Sequence, residues 1–205
     1  MIKFKNINLS VNSHFLFENL SFEVLKGEKS VISGRSGKGK TTLFNMLMGF
    51  VQPDSGEIFF DGLKLNKKNV VQVRKRISWL PQNPSIIGRG KISEQILMPF
   101  NFKVNKYLKP DTNAIIGELE KLNLDKSILN SSFDEISGGE KQRLGIMLCK
   151  LLKREVLLLD EPTSALDKAN LSSAVDYLFS QNDLTVLSAS HDEEWLRHCT
   201  KIIEI

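Results

Sequence analysis

Val31-Ile32-Ser33-Gly34-Arg35-Ser36-Gly37-Lys38-Gly39-Lys40-Thr41-Thr42-Leu43-Phe44 decides the fold of this chain. Two apolar residues run into a Gly-x-x-x-x-Gly-Lys-Thr loop spanning Gly34 to Thr41. Leu43, Phe44, Leu47 and Met48 then recur at helical spacing, and Gly49 suits the helix stop. Strand, glycine-rich loop and helix, in that order, predict a phosphate-binding turn. Glycines let the backbone curl until several N–H groups point at one anion, and the helix N-terminus adds partial positive charge. Lys40 is placed to reach the β- and γ-phosphates of a nucleotide, and the Thr41 hydroxyl to meet Mg²⁺. The four fixed residues arise by chance in about one chain in a hundred of this length. A glycine-rich turn in front of a core helix is the bland alternative, and the strand–loop–helix context weighs against it.

Outward from the loop, the patterns describe an α/β protein. Ile2 and Phe4, then Ile7, Leu9 and Val11, alternate with polar residues, as do Leu20, Phe22 and Val24; these predict half-buried antiparallel strands. Lys26-Gly27-Glu28 and Pro53-Asp54-Ser55-Gly56 read as turns. Ile58-Phe59-Phe60 and Leu63-Lys64-Leu65 can pair around Asp61-Gly62. Ile77-Ser78-Trp79-Leu80 is a further strand, stopped by Pro81. From about 84 to 150 the strand patterns cease and two helices stand out, one carrying Ile115, Leu119 and Leu122, the other starting at Ser137 and carrying Leu144, Leu148, Leu151 and Leu152. Val156-Leu157-Leu158-Leu159 and Thr185-Val186-Leu187-Ser188-Ala189 are continuous apolar runs, expected of strands buried on both faces. Lys201 to Ile205 fits a last strand. The expected architecture is a P-loop core, an N-terminal antiparallel β-subdomain and an inserted helical subdomain (about 84–150), all within one domain over 1–205.

Composition narrows the function classes. The 205 residues are 41% hydrophobic and 25% charged, with a net charge of +4. Lys64, Lys67 and Lys68, then Arg74, Lys75 and Arg76, form loose basic clusters. A solvated face explains them more simply than a lipid or nucleic-acid patch, so no nucleic-acid partner is expected. No apolar run approaches the roughly 18–20 residues needed to cross a bilayer. Met1 to Lys5 lacks the apolar core of a signal peptide, so a cytoplasmic chain is expected. Cys149 and Cys199 have no metal-ligand spacing and read as free thiols of a reducing compartment.

Two further segments carry chemistry. Val156 to Leu159 ends in Asp160-Glu161, two carboxylates at the end of a predicted parallel strand, where the phosphates of an α/β site lie. Alone, a surface strand capped by acidic residues looks identical. Beside the phosphate loop, Asp160 is expected to hold Mg²⁺ and Glu161 to act as general base toward water attacking the γ-phosphate. Ser137-Gly138-Gly139-Glu140 is a helix capping box. Its two glycines cost helix stability, roughly 1 kcal/mol each against alanine, so capping alone does not account for them. Close approach to a ligand does.

In these residues the chain resembles the ABC-type ATPases, the nucleotide-binding subunits of ABC transporters. Six motifs stand in the family order over nearly the whole length. Gly34 to Thr41 is similar to Walker A, and Gln82 to the Q-loop. Ile136 to Glu140, followed by Lys141-Gln142-Arg143, resembles the signature motif. Val156 to Glu161 resembles Walker B, Ser164-Ala165-Leu166-Asp167 the D-loop, and His191 the switch histidine. The resemblance implies ATP and Mg²⁺ as cofactors. It implies that Gly34, Ser36, Gly37, Lys38, Gly39, Lys40, Thr41 and Thr42 bind the nucleotide, and that Thr41, Asp160 and Gln82 serve the metal. Glu161, His191, Gln82 and Lys40 become the catalytic set. Ser137, Gly138 and Gly139 would contact the γ-phosphate held by a second, head-to-tail copy, with Asp167 at the seam. A separate integral membrane permease is the implied partner, driven from the cytoplasmic face.

The chain departs from the family pattern in places. Ile136 and Glu140 replace the commoner Leu and Gln. The aromatic ring usually found near position 11 to stack on adenine is absent: Val11 stands there, with His14 and Phe15 the nearest rings, which implies looser base selectivity. A C-terminal regulatory domain, present in some importer ATPases, is not expected after the last strand. Ile86 to Ile96 resembles the segment after the Q-loop in exporter-type ATPases, and Met98-Pro99-Phe100 with Ser164 to Asp167 is similar to small bacterial ATPases linked to iron export. Two rivals remain at this stage. One is a non-transport ABC ATPase acting on DNA or ribosomes, which the length opposes. The other is a hydrolytically dead scaffold, which Lys40, Asp160, Glu161 and His191 oppose.

Overall fold

The computed structural model describes residues 1–84, 90–180 and 183–205. In chain order the strands are β1 (Ile2–Val11), β2 (His14–Val24), β3 (Lys29–Ser33), β4 (Ser55–Phe60), β5 (Leu63–Lys64), β6 (Ile77–Leu80), β7 (Val156–Asp160), β8 (Thr185–Ala189) and β9 (Lys201–Glu204). The α-helices are α1 (Lys40–Leu47), α2 (Val70–Arg74), α3 (Ile92–Leu97), α4 (Thr112–Lys121), α5 (Gly138–Leu151), α6 (Lys168–Phe179) and α7 (Glu193–His198). Two sheets result. An antiparallel one has the order β2-β1-β4-β5, and a parallel one the order β6-β7-β8-β3-β9. The structure thus has the α/β architecture and the antiparallel N-terminal sheet expected of the sequence.

The period of each strand explains which layer it joins. In β7 every residue is buried. Val156 and Leu158 face the core shared with the antiparallel sheet and α1, whereas Leu157 and Leu159 face the core built with α3 to α6. Val186 and Leu187 of β8, and Val31 and Ile32 of β3, divide the same way. A two-residue period forces this split, and burial on both faces accounts for the unbroken apolar runs. The parallel sheet is therefore the central layer, with the phosphate loop after β3 and the acidic end of β7 at its carboxyl edge, on either side of β8.

In β1 the apolar phase changes, from Ile2 and Phe4 to Ile7 and Leu9, yet all four are buried. Asn6 at φ 51° lies where the register with β2 shifts. An irregularity of this kind inserts one residue and restores the inward face. The Asp61-Gly62 turn has φ 49° and 77°, both positive, as a two-residue hairpin with native twist requires. The expected turn at Pro53–Gly56 overlaps the start of β4. Gly56 sits at φ 98°, where a Cβ would fall 2.4 Å from the Asn6 carbonyl oxygen.

The sequence pattern anticipated α1, α4 and α5 but not α2, α3, α6 or α7. Only α6 carried a usable signal: Leu171, Ala174, Val175 and Leu178, all buried at helical spacing. The others have five or six residues, too short for a periodic stripe to register. The exporter-like reading of Ile86 to Ile96 falls in part on 86–89, outside the described residues; its second half forms the start of α3. Among the described residues, no helix is long and apolar enough to cross a membrane.

Candidate active site

The loop between β3 and α1 is shaped by three glycines, each for a different reason. Gly37 and Gly39 take φ 82° and 92°, in the left-handed region. A Cβ on Gly39 would also meet Phe17 at 2.6 Å and Leu16 at 2.9 Å, so β2 presses directly on the loop. Gly34 has an ordinary φ, but a Cβ there would lie 2.8 Å from the carbonyl oxygen of Ile205, just past β9. Residues 35–38 are exposed, whereas Lys40 is buried. No side chain caps α1, so its first-turn N–H groups face the loop without an internal acceptor from a cap residue.

The structure brings Gly34, Lys40, Thr41, Asp160, Glu161 and His191 together. Lys40 Nζ donates to the Gly34 carbonyl at 2.8 Å and lies 3.3 Å from Glu161 Oε1. Thr41 Oγ1 donates to Asp160 Oδ2 at 2.6 Å. Glu161 Oε2 is 3.1 Å from His191 Nδ1. Asp160 and Glu161 are 2% and 7% exposed, while His191 stands in solvent. The catalytic candidate therefore sits between a buried cation and an accessible imidazole. Burial pushes the Asp160 carboxyl above the usual range and the adjacent Glu161 adds to this; the Thr41 hydroxyl and Lys40 act in the opposite sense. A carboxylate held at this disadvantage beside a hydroxyl oxygen is suited to a small hard cation, whose charge would reverse the penalty. Mg²⁺ usually takes one or two protein oxygens and fills its octahedron with water and phosphate. The Thr41–Asp160 pair fits that demand, and no cluster of three acidic, histidine or cysteine ligands occurs among the described residues.

Glu161 carries a feature that sequence reading missed. Its φ is 47°, left-handed for a residue with a side chain. Such outliers persist only where surroundings over-determine them, and they concentrate at functional sites. Here the Glu161 N–H donates to the Ala189 carbonyl at 2.8 Å, and the Glu161 carbonyl accepts from Gln142 Nε2 at 3.3 Å. The turn swings the carboxylate from the line of β7 toward Lys40 and His191.

The Ser137 segment lies at the start of α5. The capping box is complete: Glu140 N–H donates to Ser137 Oγ at 3.2 Å, and Ser137 N–H to Glu140 Oε2 at 2.8 Å. The substitution of Glu at position 140 thus strengthens the cap. The two glycines differ. A Cβ on Gly139 would lie 2.8 Å from the Ala165 carbonyl oxygen, so packing within the chain already requires a glycine here. On Gly138 a Cβ would meet only Ala165 Cβ, at 3.6 Å, and that residue is exposed. Asp167 caps α6, accepting from the Asn170 N–H at 2.9 Å.

Gln82 is exposed and makes no hydrogen bond to the Lys40–Asp160–Glu161 cluster among the described residues. It borders a groove with Gly138, Lys141, Gln142, Ser164 and Ala165 instead. Arg143 was also read only as part of a motif. It donates to the Leu122 and Asn123 carbonyls and to Asn170 Oδ1, at 2.9, 2.8 and 2.7 Å. The signal for Gln142 and Arg143 was present in the sequence: Leu144 to Cys149 run without a polar side chain, as in a helix buried all round, whose polar side chains must have partners.

With this geometry in place, the comparisons with known proteins are decisive. The family model described as ABC transporter matches residues 17–164, from the strand that packs on the phosphate loop to the start of the Ser164–Asp167 segment. This chain belongs to the ABC transporter family. Its cassette is an ATP-binding and ATP-hydrolysing one. The probable iron export ATP-binding protein FetA of Escherichia coli is 29% identical over 208 residues, covering 100% of this cassette and 91% of that protein. The energy-coupling factor transporter ATP-binding protein EcfA1 of Oenococcus oeni is 32% identical over 213 residues, covering 99% and 75%. Among solved structures, a dimeric ATP-binding cassette in a post-hydrolysis state, bound to ADP and phosphate, matches with a TM-score of 0.84 at 24% identity. That match covers 100% of this cassette and 94% of the other chain, and it concerns the fold.

Proposed function

We propose that this cassette energises a separate integral membrane permease by closing, head to tail, on a second copy around two ATP molecules. The observation that carries this reading is that one chain holds only part of a site. Lys40, Thr41, Asp160, Glu161 and His191 converge, whereas Ser137 caps and Gly138 begins a helix whose exposed end makes no hydrogen bond to that cluster among the described residues. A helix N-terminus with an exposed glycine and a serine hydroxyl, which in the single chain donates to Glu140 Oε2 at 2.7 Å, can receive an anion. The phosphate loop of a second copy supplies it. Each γ-phosphate then bridges two subunits, and its loss on hydrolysis weakens the seam.

Within each site, Gly34 to Gly39 wrap the phosphates with backbone N–H groups, joined by the Thr42 N–H and by Ser36 and Lys38 of the loop. Lys40 turns its ammonium to the β- and γ-oxygens. Thr41 and Asp160 would hold Mg²⁺, which would supply positive charge to offset that of the phosphates. Glu161 accepts the proton of the attacking water, with His191 toward the γ-phosphate. Gln82, on the groove beside α5, is suited to report the state of this site to the permease. The cassette would work on the cytoplasmic face as a peripheral subunit. A chain of this kind, recovered from membranes in mild detergent through a tag, retains a polytopic subunit whose presence raises its ATPase rate. Recovery of the cassette alone, from membranes in which a permease is present, contradicts the reading. The choice of cargo lies with that subunit: relatives of this cassette are named for iron export and for phosphonate import alike.

Adenine needs a platform, and we assign Phe15. Its ring is 70% exposed, one residue before the Leu16-Phe17 pair that packs on the loop, and it pairs with Ser10 across the hairpin, next to the Val11–His14 pair. Stacking on one base is worth about 1–3 kcal/mol. Phe15→Ala therefore weakens ATP binding about 5- to 150-fold, with little change in the rate at saturation. Unchanged affinity in a nucleotide titration removes Phe15 from the site.

A further inference from the structure

We propose that Gln142 is a positioning residue, which fixes the Glu161 general base against the helix whose first turn serves the other subunit's nucleotide. The proposal rests on the shared-site reading above and extends it to a contact inside one chain.

Four observations carry it. Glu161 is held at φ 47°, so the aim of its carboxylate depends on what pins its peptide groups. One pin, the Ala189 carbonyl at 2.8 Å, belongs to the strand beside β7. The carbonyl of Glu161 is pinned from elsewhere, by Gln142 Nε2 at 3.3 Å, with the Ser164 N–H also at 3.3 Å. Gln142 is 1% exposed and lies two residues beyond the Ser137–Glu140 capping box, on the same unbroken helix.

The neighbouring contacts make α5 and the segment after β7 one unit. Gly139 lies against the Ala165 carbonyl, and Arg143 bonds Asn170, whose own N–H groups bond Asp167. Displacement of the α5 N-terminus by a phosphate would thus be felt at the Glu161 peptide through the amide of Gln142. Arg143 spans four groups, the Gly139, Leu122 and Asn123 carbonyls and Asn170 Oδ1, and is the riskier position to alter; Gln142 makes one bond to the site and is the better probe.

Two variants test the role. Gln142→Leu keeps bulk and removes the donor; small misplacements of a reacting group cost up to about 100-fold, so kcat should fall about 10- to 100-fold while KM and ATP affinity stay near wild type. Gln142→Glu is isosteric, and its ionised carboxylate cannot donate. A buried carboxyl takes up its proton at higher pH than an exposed one, so its kcat relative to wild type should recover as pH is lowered. A packing role alone leaves that ratio flat. The inference is overturned if the Leu variant turns over at the wild-type rate, if the ratio for the Glu variant does not change with pH, or if both lose ATP binding together with activity. Absence of an ATP-dependent dimer in the hydrolysis-deficient chain with Gln142 intact is a different result; it defeats the shared-site reading itself.

Discussion

Glu161→Gln should bind ATP as the wild type does and hydrolyse it about 10²- to 10⁴-fold more slowly, the range expected when a general base is lost. The substitution keeps the shape of the side chain. An amide oxygen can still accept from Lys40 Nζ, now at 3.3 Å from Oε1, and the amide can meet His191, at 3.1 Å from Oε2. The variant lacks only the charge and basicity that draw a proton from water. It also removes the carboxylate charge 3.3 Å from Lys40, which is 8% exposed, and ATP phosphates supply that charge better than the amide does. Affinity for ATP is thus expected to hold or rise. Single-turnover release of phosphate, set beside equilibrium nucleotide binding, separates the two effects. A near-normal turnover rate would move the general base elsewhere; loss of binding would mean that Glu161 holds the phosphate loop in shape.

Ser137→Arg should abolish steady-state hydrolysis, by more than about 10²-fold, while the isolated chain still binds ATP to within about twofold. Removing one preorganised donor from a developing oxyanion has an effect of that size, and a long side chain at the helix end obstructs the phosphate besides. Ser137 is exposed and contributes nothing to the Lys40–Asp160 cluster of its own chain. Its structural duty is the α5 cap, whose loss costs about 0.5–2 kcal/mol, too little to unfold a domain of ordinary stability. Binding without hydrolysis is therefore the outcome that a trans role demands. If ATP binding disappears with the activity, the residue serves its own chain's fold or its own site.

Much of this was legible in the amino-acid sequence because the relevant constraints are local. The phosphate loop needs glycines at fixed offsets, the buried strands need apolar runs, and a capping box needs Ser and Glu three apart; each leaves a mark within a dozen residues. What was not legible depends on residues far apart in sequence. Gly34 is required by the Ile205 carbonyl and Gly139 by that of Ala165, so neither reason could be read from its own motif. The left-handed turn at Glu161 is set by Ala189 and Gln142, 28 residues after and 19 before. The short helices α2, α3 and α7 owe their existence to what they pack on. The sequence left His14 and Phe15 both open as substitutes for the adenine ring, and the contact of Leu16 and Phe17 with Gly39, far along the chain, favours Phe15.

The claim that two chains complete each other's sites is tested most directly by the solution mass of Glu161→Gln, with and without ATP, beside the Glu161→Gln, Ser137→Arg double variant. Light scattering on a sizing column should report the 23.2 kDa protomer without nucleotide, and twice that mass with ATP and Mg²⁺, carrying two ATP per dimer. The double variant should remain a protomer with one ATP bound. A single variant that stays monomeric at high protein and ATP concentrations, or a double variant that dimerises equally well, would contradict the account.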